Sequence, residues 1–199
     1  NTRLSHCDVI GDNDAARLGA ALGRLALAGR DKVTFITSPL LASFGDWAEQ
    51  LIAESTGKEG KGIVPVVGEP LAPVETYGAD RLFVRLGLEG DAAHDDFVNG
   101  LVQAGQPVIS LRLADAYDIG KQFVLWEMAT AIAGHFLHIN PFDQPNVEAA
   151  KVKAREIVAE FAAKGTLPAG DFAPLDPATL SAFLDQARPG DYVALQAYV

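Results

Sequence analysis

Two stretches of this 199-residue chain carry side chains whose types and spacing suit proton transfer and the binding of a polar ligand. The first is Glu49-Gln-Leu-Ile-Ala-Glu-Ser-Thr-Gly-Lys58. Gln50 and Glu54 stand four residues apart, so on a helix both project from one face near its C-terminal end. A carboxylate there meets the negative end of the helix dipole, a placement that stability alone does not favour and that suits a general base. The second is Asn140-Pro-Phe-Asp-Gln-Pro-Asn-Val-Glu-Ala-Ala-Lys151, where amide and acid side chains crowd a Pro-bounded turn directly before a helix. A plainer reading stays open for each. Gln50 and Glu54 can be a solvated helix face, and Asn140, Asp143 and Gln144 can simply cap and shape the turn.

Other chemical signals read as architecture. Gly57-Lys-Glu-Gly-Lys-Gly62 lacks the four-residue gap and the hydroxyl residue after lysine that a nucleotide phosphate loop requires, and it follows a helix instead of opening one. A glycine cap and a turn account for it. Asp12-Asn13-Asp14 lacks the glycine and glutamate of a calcium loop and reads as a helix cap. His6, His94, His135 and His138 show no metal spacing, and His135, inside an apolar helix, is expected to be packed and hydrogen-bonded. Ser38 has no nucleophile elbow around it and Cys7 no evident base, so nucleophilic hydrolysis has no support.

The elements that must position these groups alternate along the chain. Helical spacing of Leu18, Leu22 and Leu25 predicts a helix over 15–28, closed by Gly29. A β-branched strand follows at 33–37, then Ser38-Pro39 as a cap and first turn, and a helix to Gly57. Strands are expected at 63–67, 81–88 and 107–113, and helices at 91–104, 121–138, 147–164 and 177–187. The stretch 192–199 alternates and is β-rich, whereas 164–176, with two prolines and two glycines, reads as an exposed loop or linker. Strands alternating with helices of this length imply parallel βαβ units. The expected fold is therefore α/β, a three-layer α/β/α sandwich, doubly wound, with a mainly parallel sheet of about five strands. Ligands of such sheets sit at the carboxyl ends of strands. That rule singles out Ser38, the loop after Gly57 and the segment before Lys151.

Composition sets the outer bounds. Hydrophobic residues make up 49% of the chain and charged residues 21%, enough to bury a sizeable core. A formal charge of −10 argues against nucleic acid as a partner. The single cysteine, Cys7, excludes a disulfide framework and fits a reducing, cytoplasmic setting. No run of 18 apolar residues is present to span a membrane. Asn1 is not a start methionine, and the β-rich 192–199 stretch stops abruptly. Both ends give the expectation of a single domain, 1–199, excised from a longer protein.

The two polar stretches together resemble the glucose-6-phosphate isomerase family. Gln50-Leu-Ile-Ala-Glu-Ser-Thr-Gly-Lys58 is similar to its Gln-Leu-x-x-Glu-Ser-x-Gly-Lys pattern. Val124-Leu-Trp-Glu and Ile139-Asn-Pro-Phe-Asp-Gln-Pro-Asn-Val-Glu-Ala-Ala-Lys151 resemble its second signature, in the right order and about 90 residues on. The wording of residues 47–62 looks closest to the isomerase part of transaldolase/glucose-6-phosphate isomerase fusions. The resemblance implies a C-terminal sugar-isomerase (SIS) domain that interconverts glucose 6-phosphate and fructose 6-phosphate through an enediol, without metal or nucleotide cofactor. It implies Glu54 as the base between C2 and C1, and Lys151 beside the ring oxygen or the developing charge. Gln50 and Gln144 would hold the substrate, Gln144 nearer the phosphate. The implied partners are a sugar phosphate and the rest of a longer chain, with a second SIS domain and a transaldolase domain.

Two departures stand out. Where the family carries a ring-opening histidine in a Gly-Gln-His motif, this chain reads Tyr77-Gly-Ala-Asp-Arg81. The Ser/Thr-rich phosphate pocket of the family's other SIS domain has no counterpart. The isolated 199 residues are thus expected to fold yet turn over negligible substrate. A non-catalytic sugar-phosphate-binding domain is the competing function, and retention of both Glu54 and Lys151 favours the enzyme. A generic nucleotide-binding domain is disfavoured, because no Gly-rich turn follows the first strand.

Overall fold

The computed structural model describes residues 10–168, 170 and 172–195, which fall into two compact units, Asn1–Pro145 and Asn146–Val199. The first unit begins with helix α1 (Asp14–Leu27), whose Asn13 Oδ1 accepts from the Ala16 amide at 3.1 Å. Strand β1 (Lys32–Thr37) leads through a 3-10 turn (Pro39–Leu41) into helix α2 (Ala42–Thr56). Strands β2 (Val64–Val66) and β3 (Arg81–Leu88) follow, then helix α3 (Asp95–Gln103), strand β4 (Val108–Leu113) and helix α4 (Ile119–Leu137).

The four strands are all parallel, in the order β2-β1-β3-β4. Four replace the five expected. In the β-rich tail, residues 192–195 form no strand, and 196–199 lie outside the described residues. The order makes the path from β1 to β2 run one way and that from β3 to β4 the other. The switch point therefore lies between β1 and β3.

Strand period two divides the core cleanly. Val33, Phe35, Leu82, Val84 and Leu86 face a layer formed by α1, α2 and α4. Ile36 and Phe83 face Leu101 and the rest of α3 on the opposite side. The result is the expected three-layer α/β/α sandwich. Helix α1 lies close on α4 because Gly19 and Gly23 carry no side chain. A Cβ at Gly19 would stand 2.4 Å from the Ala129 carbonyl oxygen, and one at Gly23 2.6 Å from Phe136 Cβ. Trp126, fully buried, meets Phe35 across the layers at 5.1 Å between ring centroids.

The second unit holds helix α5 (Pro145–Lys164) and helix α6 (Pro177–Leu184), the latter capped by Asp176, which accepts from the Thr179 amide at 2.8 Å. None of its described residues is buried. Among the described residues no helix is long and apolar enough to cross a membrane.

Candidate active site

Helix α2 is amphipathic for a visible reason. Its apolar side, Phe44, Ala48 and Ile52, is buried, and Trp47 meets Phe123 of α4 edge to face at 4.5 Å. Gln50 and Glu54 are left on the open side, where Gln50 Nε2 donates to Glu54 Oε2 at 3.4 Å. They line a cleft of about 300 Å³ together with Trp47, Ser55, Glu127 and Gln144. Three of the four residues singled out by sequence thus share one concavity. The fourth, Lys151, is exposed on α5 in the second unit and is not part of that lining.

Glu127 was not singled out by sequence reasoning. It makes no ion pair among the described residues, and it is the lone acid of α4, an otherwise apolar helix. A single carboxylate in such a run was the available signal. Lys58 was also missed as a contributor. Its side chain is 8% exposed, and its ammonium donates to the Asn140 carbonyl at 2.7 Å, to the Asp143 carbonyl, and to Asp143 Oδ1 at 3.0 Å. The end of the first signature is thereby joined to the turn of the second, 85 residues away in sequence.

Both partners of that junction are built locally. Thr56 Oγ1 donates to the Ile52 carbonyl at 2.7 Å and accepts from the Ile63 amide at 2.9 Å, closing the intervening loop on the end of α2. Glu59 and Gly60 take positive φ there, and Lys58 bridges Lys61, so the Gly57–Gly62 stretch is a capped turn, as its spacing predicts. On the other side His138 ends α4 in the left-handed conformation. Asn140 Oδ1 accepts from the Phe142 amide at 3.0 Å. Pro141 lies against Gly134, where a Cβ would come within 3.0 Å of its ring. These connections follow helices and precede or adjoin the first residues of strands, so the cleft sits on the helix layer toward the amino edge of the sheet.

The carboxyl edge turns out differently from expectation. Ser38, read as a helix cap, makes no cap bond. Its hydroxyl donates to Asp91 Oδ2 and accepts from the Leu88 amide at 3.1 Å. Arg85, 4% exposed, donates to Asp91 Oδ2 at 3.2 Å and to the Leu86 carbonyl at 3.2 Å. Asp91, expected inside a helix, precedes α3 by four residues because its carboxylate is taken by this cluster. The Ser38 hydroxyl first, then the Ala93 amide and Arg85, hold its carboxyl at about 2, below the ordinary 3.8. The β1/β3 switch point is filled by the protein's own side chains.

His135 is also corrected. It is exposed, because the buried stripe of α4 runs through Trp126, Thr130, Ala133 and Leu137 and leaves position 135 outside. His6 and Cys7 lie outside the described residues. Among the described residues no group of three or more His, Cys, Asp or Glu could hold a metal ion. The stretch Tyr77–Arg81 is packed as structure. Tyr77 stands edge-on to Phe83 at 5.1 Å, its hydroxyl accepts from the Ala72 amide, and Arg81 forks onto Glu69 at 2.6 and 3.0 Å. A larger concavity, about 620 Å³, opens near the amino ends of β1 and β2, floored by Gly57, Gly60, Gly62 and Ile63. It contains none of Gln50, Glu54 or Gln144, so here chemistry and volume part company.

No protein-family model matches the chain. Among curated proteins it is similar to the glucose-6-phosphate isomerase of Latilactobacillus sakei subsp. sakei (strain 23K), 31% identical over 76% of this chain and 43% of that protein. The glucose-6-phosphate isomerase of Heliobacterium modesticaldum is 29% identical over 70% of this chain and 40% of its own length. That of Streptococcus agalactiae serotype III is 29% identical over 72% and 41%. The chain spans less than half the length of these curated relatives. A solved structure of a hypothetical protein from Thermus thermophilus matches with a TM-score of 0.61 at 23% identity, covering 75% of this chain and 46% of that one, a likeness of fold. Alongside the fold and the paired signatures, the chain is thus similar to glucose-6-phosphate isomerases at 29 to 31% identity over 70 to 76% of its length.

Proposed function

We propose that this chain is one sugar-isomerase domain of a glucose-6-phosphate isomerase, interconverting glucose 6-phosphate and fructose 6-phosphate by proton transfer. The observation that supports this most is the meeting of Gln50, Glu54 and Gln144 around one cleft, from signatures far apart in sequence. Glu54 takes the proton from C2 of the open-chain aldose, leaving an enediolate, and returns it to C1, while the O2 hydroxyl proton passes to O1, giving the ketose. One carboxylate serves both carbons because they are adjacent. Gln50, hydrogen-bonded to Glu54, orients that carboxylate and holds the sugar. Gln144 holds the substrate toward its phosphate. Lys151 supplies a cation near the ring oxygen or the developing negative charge in the assembled enzyme. Donors fixed before reaction stabilise the enediolate without reorganisation at the moment of transfer.

Ring opening and the phosphate pocket belong to the rest of a longer cytoplasmic enzyme, with a second SIS domain and, on the wording of 47–62, a transaldolase domain. The Tyr77–Arg81 stretch, packed as it is, offers no ring-opening group. Isomerisation in heavy water, followed by proton NMR, tests the reading. An enediol route transfers solvent deuterium to C2 of glucose 6-phosphate and C1 of fructose 6-phosphate, and Glu54→Gln abolishes that exchange. Sugar-phosphate binding without exchange in the unaltered complete protein points instead to a non-catalytic binding domain.

A further inference from the structure

We infer that Lys58 is a positioning residue that sets Gln144 opposite Glu54, a role that rests on the isomerase reading above. The ammonium has three N–H groups, and three acceptors receive them: the carbonyls of Asn140 and Asp143 and one Asp143 carboxylate oxygen. All three belong to a single four-residue turn, and Gln144 is the next residue. The lysine itself follows Glu54 by four positions, just past the end of α2. One side chain therefore spans from the helix end that carries the base to the turn that carries the substrate amide, with the 300 Å³ cleft beside it.

Burial makes the arrangement demanding. Lys58 is 8% exposed, while Asp143 is 54% exposed, so the charge lies inward and its carboxylate partner outward. A lysine held only as an ion pair has no need to be that deep, since an exposed pair contributes little. Two of its three bonds go to main-chain carbonyls, which fixes the backbone of the turn and not merely one side chain. Two carbonyls would be left bare by its removal, and the turn would be free to shift relative to Glu54. Displacement of a substrate-holding group by as little as an ångström weakens reaction strongly.

The test is a double-variant cycle in the complete protein, reading kcat and KM for glucose 6-phosphate well below the unfolding temperature. Lys58→Met is expected to raise KM about tenfold or more while kcat moves less than about threefold, because ground state and transition state lose the same contact. Gln144→Ala is expected to raise KM comparably, and the double variant to be no worse than the poorer single. Amide exchange at Ile139 and Phe142 should quicken about tenfold or more in Lys58→Met while β3 amides stay protected. If Lys58→Met does not fold, Asp143→Ala removes one of the three acceptors from an exposed site and should raise KM about threefold. An active wild type whose Lys58→Met variant, or in its place Asp143→Ala, keeps its KM overturns the Lys58 assignment alone, as do additive effects in the cycle. A wild type without isomerase turnover overturns the isomerase reading and this role with it.

Discussion

Two buried cations sit at opposite edges of the same sheet, and they close their surroundings to different degrees. Arg85, at the carboxyl edge, spreads its guanidinium over Ile36, Leu86, Ser38 and Asp91, at 3.2 to 3.5 Å. Lys58, toward the amino edge, gathers one turn and leaves a cleft beside it. The planar fork of arginine offers five donors and satisfies several strand ends at once, whereas an ammonium with three donors ties a single segment. A doubly wound sheet ordinarily opens a ligand crevice at its switch point. Here Arg85, Ser38 and Asp91 occupy that place, and the candidate chemistry stands instead on the face of α2 and α4. Fold class alone therefore singles out an edge that this chain fills with its own side chains.

The comparison is broken most sharply by exchanging what each region is asked to do. Glu54→Gln keeps shape and hydrogen bonding at the cleft and should lower turnover by about two to four orders of magnitude in the complete protein. Stability, read by urea denaturation, should stay within about 0.5 kcal/mol of the parent because Glu54 is not buried. Arg85→Met is the mirror image. It leaves Asp91 unpaired beside a 4% exposed site and strips donors from several carbonyls. Loss of about 3–5 kcal/mol of stability is expected, with kcat of the folded fraction unchanged. A fall in kcat for Arg85→Met under folding conditions would return the switch point to the active site.

Much of this arrangement was legible because it is local. The strand at 33–37 and the Asn13 cap follow from β-branched patterning and side-chain chemistry within a few residues. Gln50 and Glu54 were paired correctly because four-residue spacing is a property of the helix itself. What escaped is long-range. Nothing near Lys58 signals an acceptor 85 residues away, and nothing near Ser38 signals Asp91, 53 residues on. Ser38-Pro39 has the form of a cap, but a carboxylate and the Leu88 amide take up its hydroxyl. His135 was misplaced because apolar composition was read without phase: α4 buries one stripe, and position 135 falls outside it. The alternation of 192–199 expresses strand propensity, yet a strand also needs a partner, and residues 192–195 have none.

A smaller effect separates the two edges by pH. Asp91 is held at about 2, chiefly by the Ser38 hydroxyl, so its native carboxyl binds protons less readily than in the unfolded chain, near 3.8. Its contribution to stability is complete above about pH 4 and fades as pH falls toward about 2, where the native carboxylate is protonated. Unfolding temperatures of wild type and Asp91→Asn should accordingly differ near neutrality and converge as pH approaches 2. A gap that stays constant down to pH 2 would remove Asp91 ionisation from the account.

A change in stability as small as that at Glu54 is expected at Lys151. It is exposed on α5, and it makes no ion pair among the described residues. Other charged residues of the same helix do: Lys153 reaches Glu156 at 3.3 Å and Arg155 reaches Glu148 at 2.8 Å. A cation that serves only to solvate a helix face has no reason to differ from them. Lys151→Met should therefore move the unfolding free energy by no more than about 0.5 kcal/mol. Under the isomerase reading it nonetheless deletes a positive charge from a site for a dianionic sugar phosphate. KM should rise and kcat fall together, since the cation meets both the bound ligand and the charge that develops during proton transfer. Kinetics and denaturation measured on the same purified variant separate the two roles. Unchanged kinetics with unchanged stability would return Lys151 to the solvent and leave Glu54, Gln50 and Gln144, with Lys58 positioning the last, as this chain's contribution under that reading.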